Sequence, residues 1–254
     1  MDMQLSGKKA LITGSTYGIG YAIAEALVKE GADVIITGRH QESVDTAIGK
    51  LKRINSKTKP TGISADCATI VGCQKVFDAE PEVDILINNL GIYERKTFFE
   101  IEDSDWTHFF EVNVMSGVRF ARFYIPKMVT KEWGRVIFVS SESGLMIPPE
   151  MIHYGFSKSA QLSISRGLAM SLSGTGVTVN ALLPGPTRTD TTSTPHSLSS
   201  TASTDVPRIH RIACFLASAT LLSPSPWSPP QAHHAPSTSW RAPMQPIMRP
   251  PHAI

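Results

Sequence analysis

Short apolar runs alternate with amphipathic stretches over the first three quarters of the chain. Lys9–Thr13 with its ALIT core, Val34–Thr37 (VIIT), Ile63–Asp66, Val83–Ile87 (VDILI), the RVIFVS run within Gly134–Ser140 and Val177–Leu183 (VTVNALL) are short, and most are rich in β-branched residues. Runs of that kind predict buried strands. Between them the apolar positions recur at helical spacing. Tyr21–Glu30 carries Ile23, Leu27 and Val28, and Gly31 closes it. His40–Asn55 carries Val44, Ile48 and Leu51, and Val71–Phe77 makes a short helix. Trp106–Tyr124 is one long helix with Phe109, Val112, Phe120 and Phe123, and Tyr154–Leu172 is another, while Tyr93–Thr107 is a polar loop. A helix between two buried strands implies a parallel pair. The expected fold is therefore α/β: a doubly wound, Rossmann-like parallel sheet in three α/β/α layers, forming a single domain.

The first strand runs into Gly14-Ser15-Thr16-Tyr17-Gly18-Ile19-Gly20, and a helix follows. Glycines there let the backbone approach a pyrophosphate, and the helix N-terminus offers free N–H groups and a positive dipole end. In a strand–turn–helix–strand context this predicts dinucleotide binding. The residue after the second strand selects the cofactor. An acid there would bind a ribose 2′-hydroxyl and repel a 2′-phosphate. Gly38 and Arg39 stand there instead, and a guanidinium suits a phosphate. Arg39 as a solvated loop residue is the alternative. The expectation is NADP rather than NAD.

The spacing from Thr13 to Gly20, T-G-x-x-x-G-x-G, resembles the short-chain dehydrogenase/reductase family. Four further segments carry the likeness: Asn88-Asn89-Leu90-Gly91, the Val112-Asn113-Val114 context, Ser141 thirteen residues before Tyr154-x-x-x-Lys158, and Pro184-Gly185-Pro186-Thr187. The family usually shows alanine where Leu90 stands, a change that would tighten the cofactor cleft. The resemblance covers about Leu5–Thr189. It implies an oxidoreductase moving hydride between a nicotinamide and an alcohol or carbonyl carbon of a small-molecule substrate, such as a 3-oxoacyl thioester, a sugar, a steroid or a small ketone.

Tyr154 and Lys158 are four apart, so a helix puts them on one face. A neighbouring ammonium stabilises phenolate and lowers the phenol's pKa. Tyr154 can then exchange a proton as general acid or base. Ser141 can hydrogen-bond the same reacting oxygen, with Ser140 and Ser143 as rival serines. By resemblance Asn113 extends a proton relay from Lys158 through a water in a disrupted helical turn; from the residues alone it is equally a local cap or kink. The catalytic set is thus Asn113, Ser141, Tyr154 and Lys158. The cofactor set is Gly14, Ser15, Thr16, Gly18, Ile19, Gly20, Arg39, Asp66, Asn89, Gly91, Tyr154, Lys158, Pro184, Gly185 and Thr187. Asp66 is equally a loop or capping acid. Glu142, Met146, Met151, Ile152 and His153 are expected to flank the substrate pocket.

Composition adds exclusions. Apolar residues are 41% and charged ones 18%, the formal charge is +2, and no basic run suggests nucleic acid or an anionic membrane. Cys67, Cys73 and Cys214 are too scattered for a disulfide framework or a metal site. No signal-peptide core or membrane-length apolar run is present, so a cytoplasmic protein with no nucleic-acid or membrane partner is expected.

The pattern breaks after Asp190. All 18 glycines precede that point and 11 of the 18 prolines follow it, with no lysine and one acid, Asp205. Residues 1–190 are expected to form the NAD(P)-binding domain with the catalytic residues. Residues 191–254 form a Pro/Ser-rich tail, disordered by composition, with Ile212–Leu222 its one helical candidate. Relatives place a substrate lid and a last strand there, and neither is recognisable. The expectation is a sheet lacking its last strand, a homodimer rather than a tetramer, and a replaced or out-of-frame end. A nucleotide-binding or defective product without turnover is the rival reading of the whole chain.

Overall fold

The computed structural model of the chain describes residues 3–187. Six strands form one sheet: β1 (Lys9–Ile12), β2 (Asp33–Gly38), β3 (Thr61–Ser64), β4 (Ile85–Asn88), β5 (Gly134–Val139) and β6 (Val177–Leu182). Their order is β3-β2-β1-β4-β5-β6, and every pairing is parallel. The helices are α1 (Gly18–Lys29), α2 (Gln41–Leu51), α3 (Ile70–Ala79), α4 (Asp103–Phe109), α5 (Ser116–Thr130) and α6 (Ile152–Ser171). This is the expected doubly wound α/β fold.

Strand side chains alternate between two cores, as period-2 geometry requires. Ala10, Ile12, Ile36, Ile85, Ile87, Ile137 and Val139 face a layer made by Ile23, Leu27 and Val28 of α1 and Ala47 and Leu51 of α2. Leu11, Ile35, Leu86, Val136 and Phe138 face the other layer, with Val76 of α3 and Phe120, Tyr124 and Met128 of α5. Ile164 and Leu168 of α6 pack against that second core. Strands buried on both faces are continuously apolar, which is why they were legible as runs.

Strand order reverses between β1 and β4. Outside the carboxyl ends of strands, such a reversal leaves a crevice. The Gly14–Gly20 turn leaves β1 there, and Asn89–Gly91 leaves β4 beside it. Asn89 ties them, its Nδ2 donating to the carbonyls of Thr13 (2.9 Å) and Gly14 (2.8 Å).

Three expectations about elements need correction. Tyr93–Thr107 is not wholly loop: Phe98–Glu100 forms a 3₁₀ turn and α4 begins at Asp103. A capping box between Glu102 and Asp105 starts α4, a signal of charge pattern rather than of apolar period. The single helix over Trp106–Tyr124 is instead α4, a π-helical turn over Phe110–Met115, then α5. β3 also starts and ends two residues earlier than expected, because Ile35–Gly38 of β2 pairs with Thr61–Ser64.

Candidate active site

The glycine turn is shaped by close approach. Gly14 has φ +59°, and a Cβ there would lie 3.2 Å from the Leu90 backbone, so Leu90 packs directly on the turn. A Cβ on Gly20 would come within 2.5 Å of Asn89 Nδ2 and 2.7 Å of the Gly14 carbonyl oxygen. Tyr17, at the entry to α1, supplies no side-chain cap, which leaves the first backbone N–H groups of this twelve-residue helix free for an anion. The turn therefore fits the pyrophosphate of a dinucleotide.

The other expected cofactor residues divide by what their atoms are free to do. Ser15 is fully buried, its Oγ donating to the Ile12 carbonyl (2.6 Å) and accepting from Thr37 N–H (3.1 Å). That side chain pins β1 to β2 and is not offered to a ligand. Thr16 packs its methyl against Gly38, and Ile19 lines the cleft. Arg39 is exposed beyond β2 and makes no ion pair among the described residues. Asp66 Oδ1 accepts from Ala68 N–H (3.1 Å), a local turn bond that leaves the other carboxylate oxygen open. Pro184 accepts from Glu142 N–H (3.1 Å), and the hydroxyl of Thr187 donates to the Gly185 carbonyl (2.9 Å). The first bond holds the loop after β6 against the turn that follows β5, and the second is local to that loop.

Across the crevice, a pocket is lined by Ile19, Asn89, Ile92, Tyr93, Tyr154 and Lys158, among others. Ser141 lies two residues past β5 and caps the short turn that follows, accepting from Ser143 N–H (3.1 Å). It is the serine whose hydroxyl favours the ionised form of the Tyr154 phenol. Its rival Ser140 is spent, donating to the Lys158 carbonyl (2.8 Å). Lys158 is buried with Nζ 5.6 Å from the Tyr154 ring centre. Its ammonium donates to the Val139 carbonyl (2.9 Å) and to Gln161 Oε1 (3.3 Å).

Burial dominates the electrostatics here. It lowers Lys158 to about 8, since a desolvated ammonium is disfavoured. It also raises Tyr154, which the Ser141 hydroxyl offsets in part. The sequence expectation that Lys158 holds the phenol low is not met in this geometry, where no effect of its ammonium on Tyr154 is resolved.

Asn113 sits in the π-helical turn, fully buried, with its amide committed to fixing the loop that follows β4. Its Oδ1 accepts from Ile92 N–H (2.7 Å), and its Nδ2 donates to the Ile92 carbonyl (3.0 Å) and to Ser157 Oγ (2.9 Å). Gly91 lies over the joint: a Cβ on it would be 3.3 Å from both Asn113 Oδ1 and Lys158 Nζ. Four expected residues thus meet at one place, Gly91, Asn113, Tyr154 and Lys158, with Ser141 against the phenol.

His153 departs from expectation. It does not flank the pocket; it is buried against Phe109 (ring centres 4.1 Å), with neither ring nitrogen hydrogen-bonded and Glu94 4.0 Å from Nε2. Asn88 is likewise buried with its amide unpartnered, so of the two adjacent asparagines only Asn89 joins the strand ends. Sequence reasoning missed Thr13, whose Oγ1 accepts from Asn89 N–H (3.0 Å) and Leu90 N–H (3.1 Å), and also Ser157 and Gln161. A polar residue three after Lys158, on the same helix face, was the available signal for Gln161.

Residues 8–197 match the family model for short chain dehydrogenases. The chain belongs to the short-chain dehydrogenase family. An uncharacterised oxidoreductase of Bacillus subtilis is 51% identical over 190 residues, covering 75% of this chain and 72% of its own. A 3-oxoacyl-[acyl-carrier-protein] reductase of Escherichia coli is 35% identical, covering 75% of this chain and 78% of its own. Among solved structures, L-sorbose reductase from Gluconobacter frateurii complexed with NADPH and L-sorbose superposes with a TM-score of 0.71 at 33% identity, covering 75% of this chain and 74% of that one. Membership makes the protein an NAD(P)-dependent dehydrogenase/reductase. No helix among the described residues is long and apolar enough to cross a membrane.

Proposed function

We propose that the chain is an NADP-dependent reductase of small carbonyl substrates, with residues 1–190 as the domain that carries the reaction. The observation that carries this reading is the one pocket that Tyr154 and buried Lys158 share with Ile19 of the glycine-turn helix, with the Ser141 hydroxyl acting on the phenol. When bound, the nicotinamide supplies or accepts the hydride. Backbone N–H groups at the start of α1 hold the pyrophosphate. Arg39, exposed with no acid beside it at the end of β2, favours a 2′-phosphate. The NADPH in the L-sorbose reductase structure supports the same choice.

Tyr154 donates its proton to the substrate carbonyl oxygen as that oxygen gains charge, and Ser141 hydrogen-bonds the same oxygen. A phenol kept high by burial is the protonated form that reduction needs. Lys158, held by Val139 and Gln161, keeps a positive charge behind the phenol and holds the nicotinamide ribose. Asn89 and Gly91 shape the cleft wall, and Pro184, Gly185 and Thr187 form its nicotinamide-side lip. A 3-oxoacyl-[acyl-carrier-protein] reductase and an L-sorbose reductase among the similar proteins support 3-oxoacyl thioesters and ketoses as substrate classes to try first.

Exposed Phe110 beside α4, and Phe156 and Met170 on α6, support a homodimer through these helices. Two buried free thiols, Cys67 and Cys73, support a reducing, cytoplasmic setting. Residues 188–254, including the tail, lie outside the described residues. The test is NADPH oxidation by the full chain against a panel of ketones, ketoses and 3-oxoacyl thioesters. Turnover with NADPH in preference to NADH is expected. NADPH binding with no turnover on any member would favour the rival reading of a nucleotide-binding protein.

A further inference from the structure

The region behind Lys158 contains a group that the family resemblance did not lead us to expect. Gln161 is buried, three residues after Lys158 on the same face of α6. Its Oε1 accepts from Lys158 Nζ at 3.3 Å, and its Nε2 donates to the backbone carbonyl of Asn113 at 2.6 Å. That carbonyl belongs to the π-helical turn, where a widened turn leaves room for a donor from outside the helix. A side-chain amide therefore spans the gap where a water was expected to join Asn113 to Lys158.

We propose that Gln161 is a positioning residue of the active site: its amide clamps the Lys158 ammonium to the Asn113 carbonyl. The inference rests on the reading of Lys158 given under the proposed function. The chemistry of the clamp is one-way. An amide oxygen only accepts and an amide nitrogen only donates, so the bridge fixes both partners without passing a net proton. Val139 and Gln161 take two of the three ammonium N–H bonds, and the third is left for the pocket that Lys158 lines. The clamp's second effect is on charge. Lys158 is drawn low by burial, and an acceptor at Gln161 opposes that loss.

Two substitutions separate the clamp from mere packing. Gln161→Leu removes the acceptor and should lower the Lys158 titration midpoint. Gln161→Glu keeps an acceptor and adds an opposite charge, and should raise it. The midpoint is read by NMR on the full chain with labelled lysine, assigned with Lys158→Met. Opposite shifts of about one unit each are expected, since a hydrogen bond to a charged group is worth about that much. Gln161→Leu should also lower kcat about tenfold with the carbonyl KM changed by less than about threefold, the pattern of lost transition-state positioning. If Gln161→Leu fails to fold, Gln161→Met serves in its place. Shifts in the same direction, midpoints that stay together, or an unchanged kcat would overturn the proposal. Because the titration needs no turnover, an inactive wild-type chain would sink the proposed function while the clamp was still being tested.

Discussion

The two ends of the crevice are built differently. At the glycine turn, function lies in backbone: positive φ at Gly14, the absent Cβ of Gly20 and the free N–H groups opening α1. At the reacting end it lies in side chains drawn from the turn after β5, the π-helical turn and α6, buried and bonded across many residues of sequence. A backbone site is tolerant of side-chain identity outside its glycines. A side-chain site is tolerant of nothing at its few positions, and its electrostatics depend on burial that no short motif encodes.

This contrast can be broken from either side. At the turn, Gly20→Val brings side-chain atoms into Asn89, Gly14 and Ser15, and overpacking of that kind costs about 1–3 kcal/mol or more. NADPH affinity should fall by about a hundredfold or more, about 2.7 kcal/mol of binding, measured by fluorescence titration. Retained affinity would mean that the phosphates bind elsewhere. Next is Ser141→Ala, which removes one donor to the developing oxyanion and should lower kcat by about 10²–10³ with NADPH affinity kept. An equal loss of both would assign Ser141 to cofactor binding.

Lys158→Met sharpens the burial argument through pH. The folded-state midpoint of Lys158 is about 8, below the ordinary lysine value, so the folded state disfavours its ammonium. Between about pH 8 and the ordinary value the unfolded chain binds more protons, and this group's contribution to stability rises with pH. The wild type should therefore gain on Lys158→Met across that window, by roughly 3 kcal/mol at most. Parallel melting curves from pH 7 to 10 would contradict it. The smallest effect is at the rim. Arg39→Ser should shift the NADPH-over-NADH preference in kcat/KM by about tenfold, the scale of one exposed charge-assisted contact. An unchanged ratio would return Arg39 to the status of a solvated loop residue.

The same contrast governs what could be read from the chain. Strands such as Val34–Thr37 are buried on both faces and announce themselves as apolar runs, and the glycine spacing announces the turn. Where competing signals met, the reading slipped. The apolar period over Trp106–Tyr124 continues through the π-helical turn, where Val112 and Val114 are buried like the apolar positions of the helices on either side. The start of α4 was hidden because it is written in Glu102 and Asp105. His153 was misplaced because its neighbour Tyr154 lines the pocket, whereas one step along a helix turns a side chain about a quarter of the way round. Ser141 over Ser140 was legible from spacing. The reason for it, Ser140 bonded to the Lys158 carbonyl, is a contact across eighteen residues that only the fold creates. Gln161 offered only its place three residues after Lys158; its meaning depends on a carbonyl in another helix.

The central claim is that Tyr154 transfers the proton while other residues bind the cofactor. Its most direct test is Tyr154→Phe, with NADPH titration and carbonyl reduction measured on one preparation. The account predicts NADPH affinity within about threefold of the wild type and turnover reduced by about 10²–10⁴, the worth of a positioned general acid. Turnover comparable to the wild type, with the cofactor bound equally well, would contradict it.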